Sequence, residues 1–120
     1  MIAQEEVFGP VTVVIPFDDE DDAIRIANDT RFGLGASVWT KDVERARRVA
    51  GQLLFGMVWI NDHHRIDPAS PWGGFKDSGY GRESAIQAYY DHTAVRSVIL
   101  NTSGKTVDWY SDSSEPKRLN

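Results

Sequence analysis

Residues 35–61 read GASVWTKDVERARRVAGQLLFGMVWIN, and this stretch places one amphipathic segment between two apolar ones. Apolar side chains recur at helical spacing in its middle, at Val43, Ala46, Val49, Ala50 and Leu53. The flanking segments, FGLGASVW (32–39) and GMVWIN (56–61), are apolar and glycine-punctuated, as is typical of buried strands. A strand, a helix capped at Thr40 and a second strand with short connections predict a right-handed βαβ unit with parallel strands.

The residues before this unit extend the same pattern. VTVVIPF (11–17) is nearly all apolar and rich in β-branched residues, which favours a strand buried on both faces. DDEDDAIRIANDT (18–30) has acids where a helix dipole favours them, and it predicts a helix capped by Asp18 that ends near Asn28. The sequence therefore predicts an α/β fold with a parallel βαβαβ layer.

The character of the chain changes to polar and loop-like after Asn61. A glycine-rich stretch, PWGGFKDSGYGRE (71–83), precedes a short helix predicted within RESAIQAYY (82–90). An alternating segment, AVRSVIL (94–100), and a polar tail at 101–120 follow. Because ligand sites of parallel sheets lie at the carboxyl ends of strands, the loop after Asn61 is the candidate site.

Composition excludes several classes of function. A chain of 120 residues makes one modest domain, and its 18 acidic against 13 basic residues give a net charge of −5 that disfavours binding to nucleic acids or anionic membranes. No apolar run could span a bilayer, and no secretory signal is evident, so a cytoplasmic location is expected. The chain has no cysteine, which excludes disulfides, thiolate metal sites and a cysteine nucleophile.

The glycines do not form a phosphate-binding motif. Gly74 and Gly79 have the spacing of a P-loop, but Tyr80 and Gly81 stand where a lysine and a hydroxyl residue are needed. Neither glycine pair, 33/35 or 79/81, completes the dinucleotide fingerprint. These glycines are expected where the backbone needs a positive φ angle or where another segment approaches it closely.

No metal site is expected either. The acidic run DDEDD (18–22) lacks the glycine-centred spacing of a calcium loop and fits a solvated helix start. His63 and His64 are adjacent, with Asp62 and Asp67 nearby, but neighbouring side chains on extended backbone point apart. Ordinary loop polarity or the lining of a channel accounts for them.

Two carboxylates remain as candidates, Glu6 and Glu83. Taken alone, each is readily explained as a solvated surface acid. Glu6 differs because Gly9 and Pro10 follow it and set a rigid turn into the first predicted strand. This turn would hold the Glu6 carboxylate at a fixed place on the edge of the sheet.

Four motifs together resemble a known family. QEEVFGPV (4–11), ANDTRFGLGASVWTKD (27–42), GMVWIND (56–62) and SPWGGFKDSGYGRE (70–83) occur in the order and at the spacings of the C-terminal part of aldehyde dehydrogenases. The resemblance spans residues 2–100 and about the last quarter of such an enzyme. It implies that residues 1–93 are part of the catalytic domain, 94–100 an oligomerisation strand and 101–120 a tail.

The resemblance also implies roles for individual residues in an NAD(P)-dependent oxidation of an aldehyde to a carboxylic acid. Glu6 would accept hydrogen bonds from the nicotinamide-ribose hydroxyls, and Phe8 would be its apolar companion. The other implied roles belong to the substrate side: channel lining for Ile66 and Trp72, support of the active-site loop for Asn61, and a proton relay for Glu83. Trp72 replaces a more usual smaller aromatic residue, and His63 and His64 are unusual at this loop.

The same resemblance places the other half of the chemistry before Met1. The family's nucleophilic cysteine, its general-base glutamate, its oxyanion-hole asparagine and its cofactor domain all belong to that preceding sequence. We therefore expect a truncated enzyme that is inactive alone and binds NAD or NADP little or not at all. The alternative is a non-catalytic module that associates with itself or with full-length dehydrogenase subunits through the exposed strand.

Overall fold

The computed structural model of the chain describes residues 2–106. Three helices and four short strands follow a 3-10 turn at Ile2–Gln4. In chain order they are α1 (Glu20–Asn28), β1 (Phe32–Gly33), β2 (Gly35–Val38), α2 (Val43–Ala50), β3 (Met57–Ile60), β4 (Phe75–Lys76) and α3 (Ala85–Asp91). The predicted α/β class is confirmed.

The βαβ unit predicted at 35–61 is the centre of the fold. β2 and β3 pair in parallel from Gly35 opposite Met57 to Val38 opposite Ile60. The intervening helix α2 lies against both strands, and its Ala46 is fully buried. Ala46, from the apolar stripe read from the sequence, therefore faces the sheet, whereas Val43 at the start of the stripe is 56% exposed.

Aspartates cap both long helices, one or two residues after the predicted positions. Asp19, rather than Asp18, accepts a hydrogen bond from the Asp22 amide at 2.9 Å. Asp42, rather than Thr40, caps α2 by accepting from the Arg45 amide at 3.0 Å. A capping side chain must accept a hydrogen bond from the backbone amide three residues ahead. The carboxylates of Asp19 and Asp42 do so.

An ion pair joins the two long helices. Arg48 of α2 donates from Nε and Nη2 to the two carboxylate oxygens of Glu20 in α1, at 2.8 and 2.9 Å. Arg45 lies 3.4 Å from the same carboxylate. The hydrogen bond from Arg48 lowers the pKa of Glu20, since it stabilises the charged form. The two-point geometry ties the start of α1 to the last turn of α2.

The predicted first strand is absent, which corrects the three-stranded layer. Residues 11–17 form no strand and pair with no other segment within 2–106, and Val14 is 88% exposed. β-branched residues favour extended backbone, but a strand forms only where another backbone offers donors and acceptors. No part of the described chain does so beside 11–17, and the parallel layer has two strands.

A second, antiparallel pair was not predicted. β1 pairs with β4, with Phe32 opposite Lys76 and Gly33 opposite Phe75. The pair returns the glycine-rich loop to the end of α1. Close backbone approach requires glycine along this path: a Cβ at Gly56 would collide with the Gly73 carbonyl.

The C-terminal part contains the predicted short helix, now α3, but the predicted strand at 94–100 has no regular structure. Its apolar side chains are exposed, Val95 completely and Ile99 to 93%. The boundaries at 93 and 100 and the oligomerisation role stay predictions, and residues 107–120 of the predicted tail lie outside the described part. No helix within residues 2–106 is long and apolar enough to cross a membrane.

The hydrophobic core is small. Ile24 of α1 and Ala46 of α2 are the only buried hydrophobic residues in the described range. The radius of gyration is 24.8 Å, against about 13 Å for a compact chain of about 100 residues. Many apolar side chains of residues 11–17 and 94–100 are therefore exposed to solvent.

Candidate functional site

The main candidate site is a cleft between β3 and the loop that follows it. The cleft has a volume of about 340 Å³. Its walls are Gly56, Met57, Val58 and Trp59 on the strand side and Arg65, Asp67, Ser70, Pro71 and Trp72 on the loop side. The loop expected to carry the site thus forms one wall of a real concavity.

Four aromatic rings cluster at this cleft. Trp59 lies 6.1 Å from Trp72 and 5.4 Å from His63, measured between ring centroids. His64 lies 5.6 Å from Trp72, with the two rings perpendicular. Offset and edge-to-face arrangements at these separations are mutually stabilising, so the rings hold one another in place.

Two hydrogen bonds tie the loop back to the strands. The Trp59 indole N–H donates to the Arg65 carbonyl at 3.0 Å, which satisfies the polar atom of a partly buried tryptophan. The Ser37 hydroxyl of β2 shares a hydrogen bond of 2.7 Å with Nδ1 of His63. The first turn of the loop therefore packs onto the parallel pair.

Asn61 joins the ends of the two parallel strands. Its amide nitrogen Nδ2 donates to the Thr40 carbonyl at 2.8 Å, and its Oδ1 accepts from the Thr40 amide at 2.9 Å. Its backbone has φ of 53°, a left-handed conformation that asparagine tolerates better than most residues. This geometry suits the supporting role expected from the sequence, although that role in catalysis stays a prediction.

The glycine-rich loop is closed by its own backbone. The Trp72 amide donates to the Glu83 carbonyl at 2.8 Å, and the Glu83 amide donates to the Trp72 carbonyl at 2.7 Å. Arg82 reinforces this closure by donating from Nη1 to the carbonyls of Gly74 and Gly81 at 2.9 and 2.8 Å. The structure therefore brings Trp72 and Glu83 together, with Glu83 exposed.

The other channel candidate is not brought to the cleft. Ile66 lies in the same loop but is 60% exposed and does not line the cleft. Its neighbour Arg65 pairs with Asp62 at 2.9 Å, which holds the backbone before it. Trp72 therefore lines the cleft without Ile66 beside it.

Glu6 and Phe8 lie elsewhere, on the N-terminal arm, which is residues 2–17 before α1. Both line a shallow second pocket formed by residues of that arm, and Phe8 is 94% exposed with φ of 50°. The arm is anchored where Gln4 donates to the backbone carbonyl and the carboxylate of Asp29, at 3.1 and 3.3 Å. No hydrogen bond or ring contact joins the arm to Trp72 or Glu83 within residues 2–106.

Comparison with known proteins identifies the family. The sequence profile described as "Aldehyde dehydrogenase family" matches residues 1–98. The chain belongs to the aldehyde dehydrogenase family. It is 47% identical over 110 residues to betaine aldehyde dehydrogenase of Bacillus subtilis, and 50% identical over 99 residues to 2-aminomuconic semialdehyde dehydrogenase of Danio rerio. The matches cover 92% and 82% of this chain, but only 22% and 20% of those relatives.

The fold agrees with solved aldehyde dehydrogenase structures. Betaine aldehyde dehydrogenase of Staphylococcus aureus, in complex with NAD+, superposes with a TM-score of 0.82 at 44% identity. This match covers 90% of the chain and 22% of the Staphylococcus enzyme. The chain thus spans about a fifth of the length of its aldehyde dehydrogenase relatives.

The residues of the arm fit one part of a nicotinamide cofactor. The Glu6 carboxylate offers two acceptor oxygens to a pair of ribose hydroxyls, and the exposed Phe8 ring offers an apolar surface beside it. The sequence has no completed phosphate-binding fingerprint to hold the pyrophosphate. Binding of the ribose by Glu6 and Phe8 stays a prediction.

No group of three or more His, Cys, Asp or Glu side chains within residues 2–106 could hold a metal ion.

Three residues that support the loop were not predicted from the sequence: Trp59, Ser37 and Arg82. A tryptophan in a strand needs an acceptor for its indole, and that requirement is a usable signal for Trp59. Ser37 and Arg82 have no such signal, because their partners are set by the folded path of the loop.

Proposed function

We propose that the chain supplies the ribose-binding arm and the aldehyde-channel loop of an NAD(P)-dependent aldehyde dehydrogenase that forms a carboxylic acid. The observation that carries this proposal is the closed loop in which Trp72 and Glu83 bond through their backbones, beside a cleft lined by aromatic rings. In it Trp72 lines the channel and Glu83 relays a proton at the loop end. Asn61 supports the loop from the strand ends.

The cofactor would be NAD or NADP, which accepts a hydride when bound. Glu6 accepts hydrogen bonds from the ribose hydroxyls, and Phe8 packs at the nicotinamide end, so that both act by positioning. We expect little or no binding of either nucleotide by the chain alone, because Glu6 and Phe8 reach only one end of it. We also expect no turnover by the chain alone, since it has no cysteine.

The cleft suits an aldehyde that carries a positive charge, because the one basic residue that lines it within residues 2–106, Arg65, is already paired with Asp62. The rings of Trp59 and Trp72 can hold a cation by cation–π attraction, and the Asp67 carboxylate lines the same cleft. Betaine aldehyde, in the name of the Bacillus relative, contains a quaternary ammonium group. A quaternary ammonium aldehyde is therefore the substrate class we propose.

A chimera tests this function directly. The aligned 110-residue segment of this chain would replace its counterpart in the Bacillus relative, and NADH formation from betaine aldehyde would be followed by absorbance. An active chimera is expected, with Glu6→Gln raising the KM for the nucleotide. Glu5→Gln, on the next residue of the arm, is the matched control. An active chimera in which Glu6→Gln and Glu5→Gln behave alike would contradict the ribose role.

The channel role has its own variant. Trp72→Leu in the chimera should raise the KM for betaine aldehyde about 5- to 30-fold, since the cation–π contribution of a partly desolvated ring is about 1–2 kcal/mol. A neutral aldehyde of similar size should lose much less. Equal losses for both aldehydes would show that Trp72 only shapes the channel.

A second candidate function is a non-catalytic interaction module. The observation in its favour is the exposed apolar surface of residues 11–17 and 94–100, with Val95 fully exposed. In this alternative the chain associates with itself or with full-length aldehyde dehydrogenase subunits. Co-purification of a tagged chain with a complete aldehyde dehydrogenase would support the module, and a chain that elutes without the enzyme would exclude association with full-length subunits.

A further inference from the structure

Side-chain hydrogen bonds join the turn after α1, residues 28–30, to three separate segments. We refer to this turn as the 28–30 junction. The N-terminal arm reaches it through Gln4, which donates to Asp29 at 3.1 and 3.3 Å. The glycine-rich loop reaches it through Lys76, whose ammonium donates to the carbonyls of Asn28 and Thr30 at 2.9 and 3.0 Å. The arm that carries Glu6 and Phe8 and the glycine-rich loop are therefore both hydrogen-bonded to this one short turn.

The third segment is the connection between α2 and β3. The Asn28 side chain donates from Nδ2 to the Gln52 carbonyl at 2.9 Å and accepts at Oδ1 from the Leu54 amide at 2.8 Å. Its donor and acceptor are thus both used within the fold, and both partners lie more than twenty residues away. Asn28 fixes the junction against the strand that carries Trp59.

The backbone of Lys76 is held in a conformation that a lysine adopts rarely. Its φ is 52°, in the left-handed region that favours glycine. Such a conformation persists where surrounding contacts determine it. Its ammonium satisfies two carbonyls at the C-terminal end of α1, where positive charge is favoured, and lies 5.6 Å from the Phe55 ring.

We propose that Asn28 and Lys76 are positioning residues that set the placement of the ribose-binding arm relative to the aldehyde-channel loop. Both act through the 28–30 junction, and neither touches nucleotide or aldehyde. Because Gln4 bonds the same turn, a change in how Lys76 holds the loop is transmitted to Glu6 and Phe8. This inference rests on the proposed function for its meaning in catalysis, although the physical coupling does not need it.

The coupling is testable on the full 120-residue chain by two-dimensional amide NMR. Lys76→Met is expected to shift the amide resonances of the arm, Gln4–Phe8, as well as those of residues 28–30. Lys76→Arg, which keeps a cationic donor, is expected to return the arm resonances toward their original positions. Lys41→Met removes the same charge from an exposed side chain and is the control, with the arm unchanged.

A second variant tests the same coupling from the side of the arm, in case Lys76→Met fails to fold. Gln4→Ala alters one exposed side chain of the arm and is expected to shift the amides of Lys76 and Gly79, since coupling between two positions is reciprocal. Arm resonances that stay in place in Lys76→Met, or loop resonances that stay in place in Gln4→Ala, would overturn the proposal. No nucleotide or aldehyde is present, so this failure is distinguishable from an inactive chimera, which would count against the proposed function alone.

Discussion

Trp72 and Glu83 exchange two backbone hydrogen bonds, of 2.8 and 2.7 Å, across the mouth of the glycine-rich loop. The ten residues between them are thereby closed into a loop whose ends are fixed. Arg82 adds hydrogen bonds to two carbonyls inside it. The side chains of Trp72 and Glu83 therefore start from neighbouring, fixed points of the backbone, which the roles proposed for them would require.

Replacing Gly56 with alanine should destabilise the chain by about 1–3 kcal/mol, because its Cβ would collide with the Gly73 carbonyl at the base of this loop. The free energy of unfolding from urea titration measures the effect. Gly81→Ala is the matched control, since a Cβ there meets no atom within 4 Å and the backbone φ is not positive. Similar losses for both variants would contradict the packing argument.

Asn61→Ala should cost about 1 kcal/mol more in unfolding free energy than Asn61→Gly. Both variants lose the two hydrogen bonds to Thr40. Only alanine also suffers from the left-handed φ of 53°, which costs about 1–2 kcal/mol for a residue with a Cβ. Urea titration of the two variants separates the side-chain contribution from the backbone contribution. Equal stabilities would show that the turn relaxes away from this conformation.

The parts of the fold that the sequence predicted depend on local patterns. The helical spacing from Val43 to Leu53 predicted α2, and short connections predicted that β2 and β3 would pair in parallel. Residues 11–17 have equally clear strand character, yet they form no strand, because strand formation also needs a partner backbone. The periodicity of a segment indicates which secondary structure it favours. Whether a strand forms depends on the backbone that the whole fold places beside it.

The candidate site shows the same division. The resemblance implied roles for Trp72 and Glu83 that stay predictions, and the structure shows that their backbones pair. The ties that hold their loop could not be predicted, because the Ser37–His63 hydrogen bond and the Lys76–Asn28 hydrogen bond join residues 26 and 48 positions apart. Each arises from the path of the loop around the βαβ unit, which the local sequence does not encode.

Stability should decrease in acid partly through Glu20. Its pKa is lowered by the hydrogen bond from Arg48, so its contribution is present above the ordinary value of 4.5 and is lost as the pH falls through the lower, folded-state pKa. Glu20→Gln should therefore flatten the fall in melting temperature between about pH 5 and about pH 3. Glu44→Gln, at a carboxylate that is 82% exposed, is the control. An unchanged pH profile in Glu20→Gln would contradict the role of this pair.

Self-association should depend on the apolar side chains of residues 94–100. The unchanged chain is expected to show a mass above its 13.5 kDa that rises with concentration, measured by size-exclusion chromatography with light scattering. Ile99→Lys should lower that mass toward 13.5 kDa, because it removes an apolar side chain that is 93% exposed. Ser97→Lys adds the same charge on the same face of an extended segment without removing apolar area, and it should have a smaller effect. A clean monomer of the unchanged chain at high concentration would exclude association through this segment, and with it the self-associating form of the interaction module.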